Sequence, residues 1–263
     1  MKLVQFDLSA GKTTCLTLLA LSLLAGCSSS QTDSPDLSSV KKVDPLTSPP
    51  DSDGDSSTPV TDAKAQVNLK RNFYFVFDGS GSMKDPPKSS AGSDRRFNSK
   101  IEGAKWAVTE FMKNVPENVN LGLFVFDNRG EREVLPLGPN NRAEFLQDIN
   151  HVDASGSTPL GDAISKGSTA LARQYHNQMG YGDYRLIVIT DGEADDNINK
   201  GIAKALKYNI PIYTIGFGIG PKHSLRKYSI SYRSADSAKQ VENALEEAAA
   251  ELDVFDATTF KKK

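Results

Sequence analysis

The chain has 263 residues, of which 38% are hydrophobic and 24% are charged. This composition allows one sizeable hydrophobic core with tails outside it. The formal net charge of −2 offers no electrostatic attraction to a nucleic-acid backbone, so we expect no nucleic-acid partner.

The first residues predict an export signal. Lys2 and Lys12 precede an apolar run at 15–25, which is too short to span a bilayer as a mature helix and is typical of a signal peptide. The run ends in Leu-Ala-Gly before Cys27 and resembles the bacterial lipobox, in which cleavage leaves a lipidated cysteine as the first mature residue. The alternative is an ordinary signal peptide over 1–26 with an incidental cysteine.

The lipobox also predicts a location in the bacterial cell envelope. An acylated Cys27 would attach the protein to a membrane through its lipid. Ser28 would follow it, whereas an aspartate there would resemble an inner-membrane retention signal, so we expect an outer-membrane lipoprotein. Cys15 would leave with the signal, so the mature domain would contain no free thiol and no disulfide.

The segment 27–68 predicts a tether. After Cys27 it is rich in Ser, Asp, Pro and Thr, and it shows no apolar periodicity. A flexible chain of this length has a root-mean-square span of roughly 35 Å. We therefore expect a disordered connection between the lipid and a folded domain at 69–255, which a short tail at 256–263 follows.

From residue 72 onward, apolar runs of strand length alternate with stretches of helical periodicity. The predicted strands cover 73–77, 119–126, 133–137, 185–190, 211–217 and a short segment near 228–232. The predicted helices cover 100–114, 143–149, 160–179, 198–208 and 236–252.

Repeated strand–helix units with apolar strands predict an α/β fold. We expect a doubly wound, mostly parallel, Rossmann-like sheet with helices on both faces. The short strand at 133–137 is expected to lie antiparallel at one edge.

Oxygen-bearing side chains follow three of these elements. The first predicted strand ends on Asp78, Ser80 and Ser82 at the spacing D-x-S-x-S, Thr158 precedes the long helix, and Asp191 follows the strand at 185–190. In a doubly wound sheet, loops at the carboxyl ends of the strands gather at one edge. Carboxylate and hydroxyl oxygens are suitable ligands for Mg²⁺ or a similar hard divalent cation.

These motifs resemble the von Willebrand factor type A domain and its metal-ion-dependent adhesion site. The resemblance covers about residues 72–252 and rests on FVFDGSGSM, GSTPLGDAI and VITDGEAD. It implies that a divalent cation, Mg²⁺ or else Mn²⁺ or Ca²⁺, is held partly through water by five residues: Asp78, Ser80, Ser82, Thr158 and Asp191. An ion with few anionic ligands is under-neutralised, so it seeks an Asp or Glu carboxylate from a partner protein.

Each of these residues also has a simpler interpretation. Asp78 is in a position to cap a helix, and Ser80 and Ser82 to bind turn amides. Thr158 is in a position to cap the helix that begins after Pro159. A tethered scaffold in which the ion only stabilises the fold is the alternative function.

A long polar loop, 84–98, follows the serines directly. It is either a solvated surface loop or a rim that gives the metal centre its specificity, because loops at strand ends carry recognition. Its candidate specificity residues are Lys84, Asp85, Asp94, Arg95 and Arg96.

Three further groups of residues are assigned structural roles. Asp195, Asp196 and Asn197 precede a helix, where N-capping is favoured over an extension of the acidic site. Trp106 is expected in the core. Surface or helical positions without metal spacing are expected for His151, His176 and His223.

Catalysis is not expected. Ser80, Asp191 and His223 follow the chain order of an α/β-hydrolase triad, but a nucleophile elbow needs G-x-S-x-G, and here Asp78 and Ser82 occupy the glycine positions. The glycines also fail to form a dinucleotide fingerprint or a phosphate-binding loop. We therefore expect a binding protein that is not an enzyme and has no small-molecule substrate.

Overall fold

The computed structural model describes residues 37–50, 69–87 and 96–250. All of them belong to one unit, which begins at Asp36. The predicted signal peptide, the predicted lipidation site Cys27 and the C-terminal tail lie outside the described residues.

A six-stranded sheet forms the centre of the unit. Its strands are β1 (Arg71–Asp78), β2 (Asn120–Asp127), β3 (Gly130–Gly138), β4 (Asp183–Thr190), β5 (Ile212–Phe217) and β6 (Ser231–Ala235). The strand order is β3-β2-β1-β4-β5-β6, and every neighbouring pair is parallel except β2 and β3. This confirms the predicted doubly wound sheet with one antiparallel edge strand.

Five helices cover the sheet: α1 (Lys100–Met112), α2 (Arg142–Asn150), α3 (Leu160–Asn177), α4 (Ile198–Lys207) and α5 (Ala238–Ala250). Side chains of β1 alternate between the two faces of the sheet. Phe73, Phe75 and Phe77 pack in one hydrophobic cluster with residues of α1, α2 and α5. Tyr74 and Val76 pack in the other cluster with α3 and α4. Each face therefore has its own buried core.

None of the helices within the described ranges is long and apolar enough to cross a bilayer.

Two glycines allow α3 and α4 to touch. A methyl group on Gly161 would overlap the carbonyl oxygen of Asn197, and one on Gly201 would overlap the carbonyl oxygen of Gly161. The backbones therefore meet at the first turn of each helix, without side chains between them. This contact joins the segment before α3 to the segment before α4.

The two edge strands differ from their predicted bounds. The antiparallel strand β3 is longer than 133–137, because it pairs with β2 along almost its whole length. The strand β6 starts three residues later than predicted, since a 3₁₀ turn at Ser224–Lys227 is followed by a hydrogen bond from the Ser229 amide to the Leu225 carbonyl. Its residues are mostly half-exposed or exposed, so apolar content marks this strand poorly.

Residues 37–50, which the sequence assigns to a disordered tether, contact the domain instead. Leu37 packs against the α3–α4 core, and the Val43 amide donates to the Lys207 carbonyl at 2.7 Å. The His176 ring lies with Nδ1 3.0 Å from the Pro45 carbonyl oxygen. Contacts of this kind use carbonyl groups and helix ends, which no periodicity of the segment reveals. They lie near the carboxyl ends of α3 and α4, opposite the edge where the strands end.

Candidate metal centre

The centre of the sheet places two of the predicted ligands side by side. The order of the strands reverses between β1 and β4, and crevices outside such switch points are the usual ligand sites of open α/β sheets. Phe77 of β1 pairs with Ile189 of β4. Asp78, the last residue of β1, and Asp191, the first residue after β4, therefore emerge next to each other.

Asp78 is fully buried and held by two strong hydrogen bonds. Its Oδ1 accepts from the Ser80 amide at 2.7 Å, and its Oδ2 accepts from the Thr190 hydroxyl at 2.6 Å. Burial, and then the negative charge of Asp191, raise the pKa of Asp78 to about 6, although the hydrogen bonds from Ser80 and Thr190 act in the opposite direction. The carboxylate is thus incompletely compensated and would be stabilised by a nearby cation.

The two serines do not merely satisfy turn amides. Ser80 precedes the 3₁₀ turn at Gly81–Lys84, yet its side chain makes no capping hydrogen bond. Its Oγ lies 3.2 Å from the Ser82 Oγ, and the Ser82 hydroxyl donates to Asp191 Oδ1 at 2.6 Å. Ser80 is buried and Ser82 is exposed, so the hydroxyl pair leads from the interior to the surface.

Backbone hydrogen bonds bring the Thr158 loop to the same place. The Gly81 amide donates to the Gly156 carbonyl at 3.1 Å, and the Ser155 amide donates to the Gly79 carbonyl at 2.7 Å. Thr158 is buried beside Gly192, which follows the strand β4, and its side chain does not cap α3. All five predicted site residues therefore lie at the carboxyl edge of the sheet.

The three polar residues before α4 form capping hydrogen bonds, as the sequence favours. The side chains of two of them, Asp195 and Asp196, bind the backbone around the start of α3 and not that of α4. Asp196 accepts from the Gly161 and Asp162 amides of α3, each at 2.8 Å. Asp195 exchanges hydrogen bonds with the backbone of Thr158. Only Asn197 caps its own helix, α4, by accepting from the Asn199 amide. These acids therefore hold the Thr158 loop in place.

Lys100 is a site residue that the sequence analysis missed. It is 5% exposed, and its Nζ lies 2.5 Å from Asp191 Oδ2 and 3.3 Å from the Ser82 carbonyl oxygen. A signal was present, because Ser99 and Glu102 mark the start of α1 and place Lys100 in its first turn. A cation is unfavourable at the amino-terminal, positive end of a helix, so a lysine at this position indicates a specific anionic partner that stabilises it.

The two described ends of the polar loop after the serines lie next to each other at the site. The Lys100 amide donates to the Asp85 carbonyl at 2.8 Å, so both ends of the loop meet there. Lys84 and Asp85 are exposed, and the guanidinium of Arg96 lies over the ring of Trp106, 4.8 Å from its centroid. Asp94 and Arg95 lie outside the described residues. Trp106, expected in the core, is only partly buried and packs at the edge of the core.

His223 is buried, which corrects its prediction as a surface or helical residue. Its Nδ1 accepts from the Leu225 amide, so Nε2 carries the proton and donates to the Gly192 carbonyl oxygen at 2.8 Å. Both ring nitrogens are thus used in holding backbone. The structure gives this histidine no arrangement with Ser80 of the kind that a hydrolase triad requires.

The side chains of the cluster suit a hard divalent ion. Neighbouring ligands of an octahedral Mg²⁺ lie about 3 Å apart, and the hydroxyl oxygens of Ser80 and Ser82 are separated by 3.2 Å. The other candidate donors, Asp78, Thr158 and Asp191, also offer oxygen. Within the described part of the chain no group of three or more His, Cys, Asp or Glu side chains forms a metal site.

Comparison with known proteins agrees with the fold. Residues 72–261 match the profile of the von Willebrand factor type A domain. Inter-alpha-trypsin inhibitor heavy chain H3 of Mesocricetus auratus is 23% identical over 201 residues, which are 69% of this chain and 21% of that protein. This chain therefore matches about a fifth of that relative's length.

Two solved structures share the fold. A von Willebrand factor type A structure from Catenulispora acidiphila is 18% identical, with a TM-score of 0.53 over 69% of this chain and 42% of that one. The pilus adhesin SpaC from Lactobacillus rhamnosus GG is also 18% identical, with a TM-score of 0.51 over 71% of this chain and 31% of that one.

The raised pKa of Asp78 predicts how stability depends on pH without divalent ions. The folded state holds a proton on Asp78 up to about pH 6, whereas the unfolded chain loses it near pH 4, so this carboxyl contributes stability below pH 4 that is lost as the pH rises through 6. We expect the free energy of unfolding in EDTA to fall by about 3 kcal/mol over this interval. Asp78→Asn should remove the fall, whereas Asp85→Asn should preserve it. Urea unfolding at pH 4, 5, 6 and 7 measures the effect, and identical profiles for wild type and Asp78→Asn would contradict it.

Proposed function

This chain belongs to the von Willebrand factor type A domain family, and we propose from that membership that its centre binds Mg²⁺ and, with it, a carboxylate of a partner protein. Domains of this family are commonly metal-dependent adhesion or protein-binding modules and are generally not enzymes. The proposed function is accordingly recognition of another protein through a shared ion.

The observation that carries the proposal is the hydroxyl pair of Ser80 and Ser82. Ser80 is buried, whereas Ser82 is exposed and its hydroxyl is bonded to Oδ1 of the buried Asp191. An ion held there by neutral hydroxyls keeps most of its positive charge. The buried residues Asp78 and Thr158 would complete the set of oxygen donors. When bound, the ion supplies an electrophilic centre that accepts an oxygen anion from outside.

The outer end of the site is accessible to a partner protein. Ser82 is exposed, and so are Lys84 and Asp85 beside it. A side chain of a partner can therefore approach the ion from this direction without a displacement of the sheet. The described ends of the polar loop lie at the site, so such a partner would contact them next.

Anchoring to a membrane is the second part of the proposal. The lipobox around Cys27 and the Ser28 that follows it support a lipoprotein of the outer membrane of a bacterial cell envelope. A role at an envelope is consistent with a neighbour in fold that is named a pilus adhesin. The lipid would bring the domain to the membrane, while the ion selects the partner.

The metal site can be tested on the purified domain. Isothermal titration calorimetry with Mg²⁺ or Mn²⁺ should show one site in the wild type. Asp78→Ala should weaken ion binding by tenfold or more, because a buried carboxylate of the candidate donor set is lost. A tenfold loss of affinity corresponds to about 1.4 kcal/mol. Asp85→Ala removes an exposed carboxylate nearby and should leave the affinity unchanged. No binding by the wild type, or equal binding by Asp78→Ala, would refute the site.

A pull-down from envelope extract then distinguishes recognition of a partner from a purely structural ion. A protein that is retained in Mg²⁺ and released by EDTA supports recognition. Metal-dependent thermal stability without such a protein would favour the scaffold.

The loop next to the serines is expected to affect partner binding alone. Lys84→Ala and Arg96→Ala should change the affinity for the captured partner about two- to tenfold, as rim charges do, because they lie outside the ion's donor set. Their Mn²⁺ affinity should equal that of the wild type. Lys113→Ala, an exposed change at the far end of α1, is the matched control. Unchanged partner binding by both loop variants would show that the loop is only a solvated surface.

The lipid anchor is tested in cells. Metabolic labelling with a palmitate analogue should mark the wild type, and Cys27→Ser should lose both the label and the membrane fraction. Because Cys15 would be removed with the signal, Cys15→Ser should keep the label. Labelling that persists in Cys27→Ser would disprove the lipobox.

A further inference from the structure

We propose that Lys100 sets the charge of the metal centre, so that the ion-loaded site carries one uncompensated positive charge and requires an external anion. The inference rests on the proposed function, and it assigns a residue to the selectivity of that same site. Lys100 acts through Asp191 and is therefore a positioning residue.

The placement of Lys100 is constrained from both ends. Its backbone amide is fixed by the Asp85 carbonyl at the start of α1. Its aliphatic stem passes beside Gly218, where a methyl group would lie 3.6 Å from Lys100 Cε. Its ammonium group ends between Asp191 Oδ2 and the Ser82 carbonyl oxygen. A lysine that is 5% exposed has little freedom to leave this position.

The two oxygens of Asp191 have different partners. Oδ1 accepts from the hydroxyl of Ser82, which belongs to the candidate donor set, and Oδ2 accepts from Lys100. The lysine thus binds the oxygen that does not face the hydroxyl pair. It can remain bound to Asp191 while the hydroxyl side of the carboxylate serves the ion. The ammonium group also fixes the rotamer of Asp191.

The charges of the centre follow from this arrangement. Asp78 and Asp191 contribute two negative charges, and Lys100 contributes one positive charge that is buried with them. The protein part of the site therefore carries one net negative charge. A divalent ion would convert it to one net positive charge. If Lys100 were neutral, the loaded centre would be balanced, and a carboxylate ligand would gain much less from it.

The lysine consequently has opposite effects on the affinity of the site for the ion and on the affinity of the loaded site for a carboxylate. It repels the incoming ion and weakens its binding. It also preserves the positive charge that attracts the carboxylate of a partner. A purely structural lysine would support Asp191, so that its loss would weaken both steps together. The two roles therefore predict opposite changes in ion affinity.

The test uses three variants of the complete domain. Lys100→Met removes the charge and the hydrogen bond, and Lys100→Gln removes the charge but keeps a donor. The control Lys105→Met neutralises a lysine of the same helix that donates to the Asn150 carbonyl and not to a carboxylate. Mn²⁺ affinity is measured by titration calorimetry. Acetate binding to the Mn²⁺-loaded protein is measured through the relaxation of water protons. Thermal unfolding in EDTA reports whether each variant is folded.

We expect Lys100→Gln to bind Mn²⁺ about tenfold more tightly than the wild type and acetate about tenfold more weakly, because a buried unit charge has been removed. Lys105→Met should match the wild type in both. Lys100→Met should show the same changes with a lower melting temperature in EDTA, and if it fails to fold, Lys100→Gln decides. Weaker or unchanged Mn²⁺ binding by Lys100→Gln, or unchanged acetate binding, would overturn the role of Lys100. A wild type that binds no Mn²⁺ would instead overturn the proposed function itself.

Discussion

The parallel pairing of β1 with β4 is the constraint on which the rest of the site depends. It brings the carboxyl ends of β1 and β4, which are far apart in the chain, to adjacent positions and so places Asp78 and Asp191 in the same crevice. The turn after β1 then fixes the serines, because its amide binds Asp78 Oδ1. Every further contact of the centre is built on this register. A shift of one residue would turn these side chains to the opposite faces of the sheet.

Burying two carboxylates in one crevice is unfavourable, and the protein compensates the two negative charges to different extents. Asp191 has an ammonium group as a partner, whereas Asp78 has hydroxyl and amide donors, and its pKa is raised. Neutral donors orient a carboxylate without cancelling its charge. The unbalanced part of the site is therefore Asp78, at the end of the central strand. This incompletely compensated carboxylate lowers the stability of the fold near neutral pH.

The sequence reveals the elements that depend on local pattern. Apolar strands, helical periodicity and the D-x-S-x-S spacing predict the sheet and place five oxygen-bearing residues at one edge. It does not reveal contacts between segments that are far apart in the chain. Asp196 caps a helix that begins 36 residues earlier, and His223 holds the backbone at Gly192. The docking of 37–50 likewise depends on carbonyls at helix ends. Lys100 is an exception. A lysine in the first turn of a predicted helix is unfavourable, and the sequence alone shows it.

The close approach of α3 and α4 at Gly161 and Gly201 has a mechanical consequence. With backbone against backbone, and with Asp196 bonded across the gap, the loop before α3 and the segment before α4 are linked to each other. The serine turn is linked to the same loop, because the Gly81 amide donates to the Gly156 carbonyl and the Ser155 amide donates to the Gly79 carbonyl. A displacement of α4 would therefore be transmitted through the Thr158 loop to the serines. A methyl group at either glycine would force the two helices apart and would so disturb the serine turn from a distance.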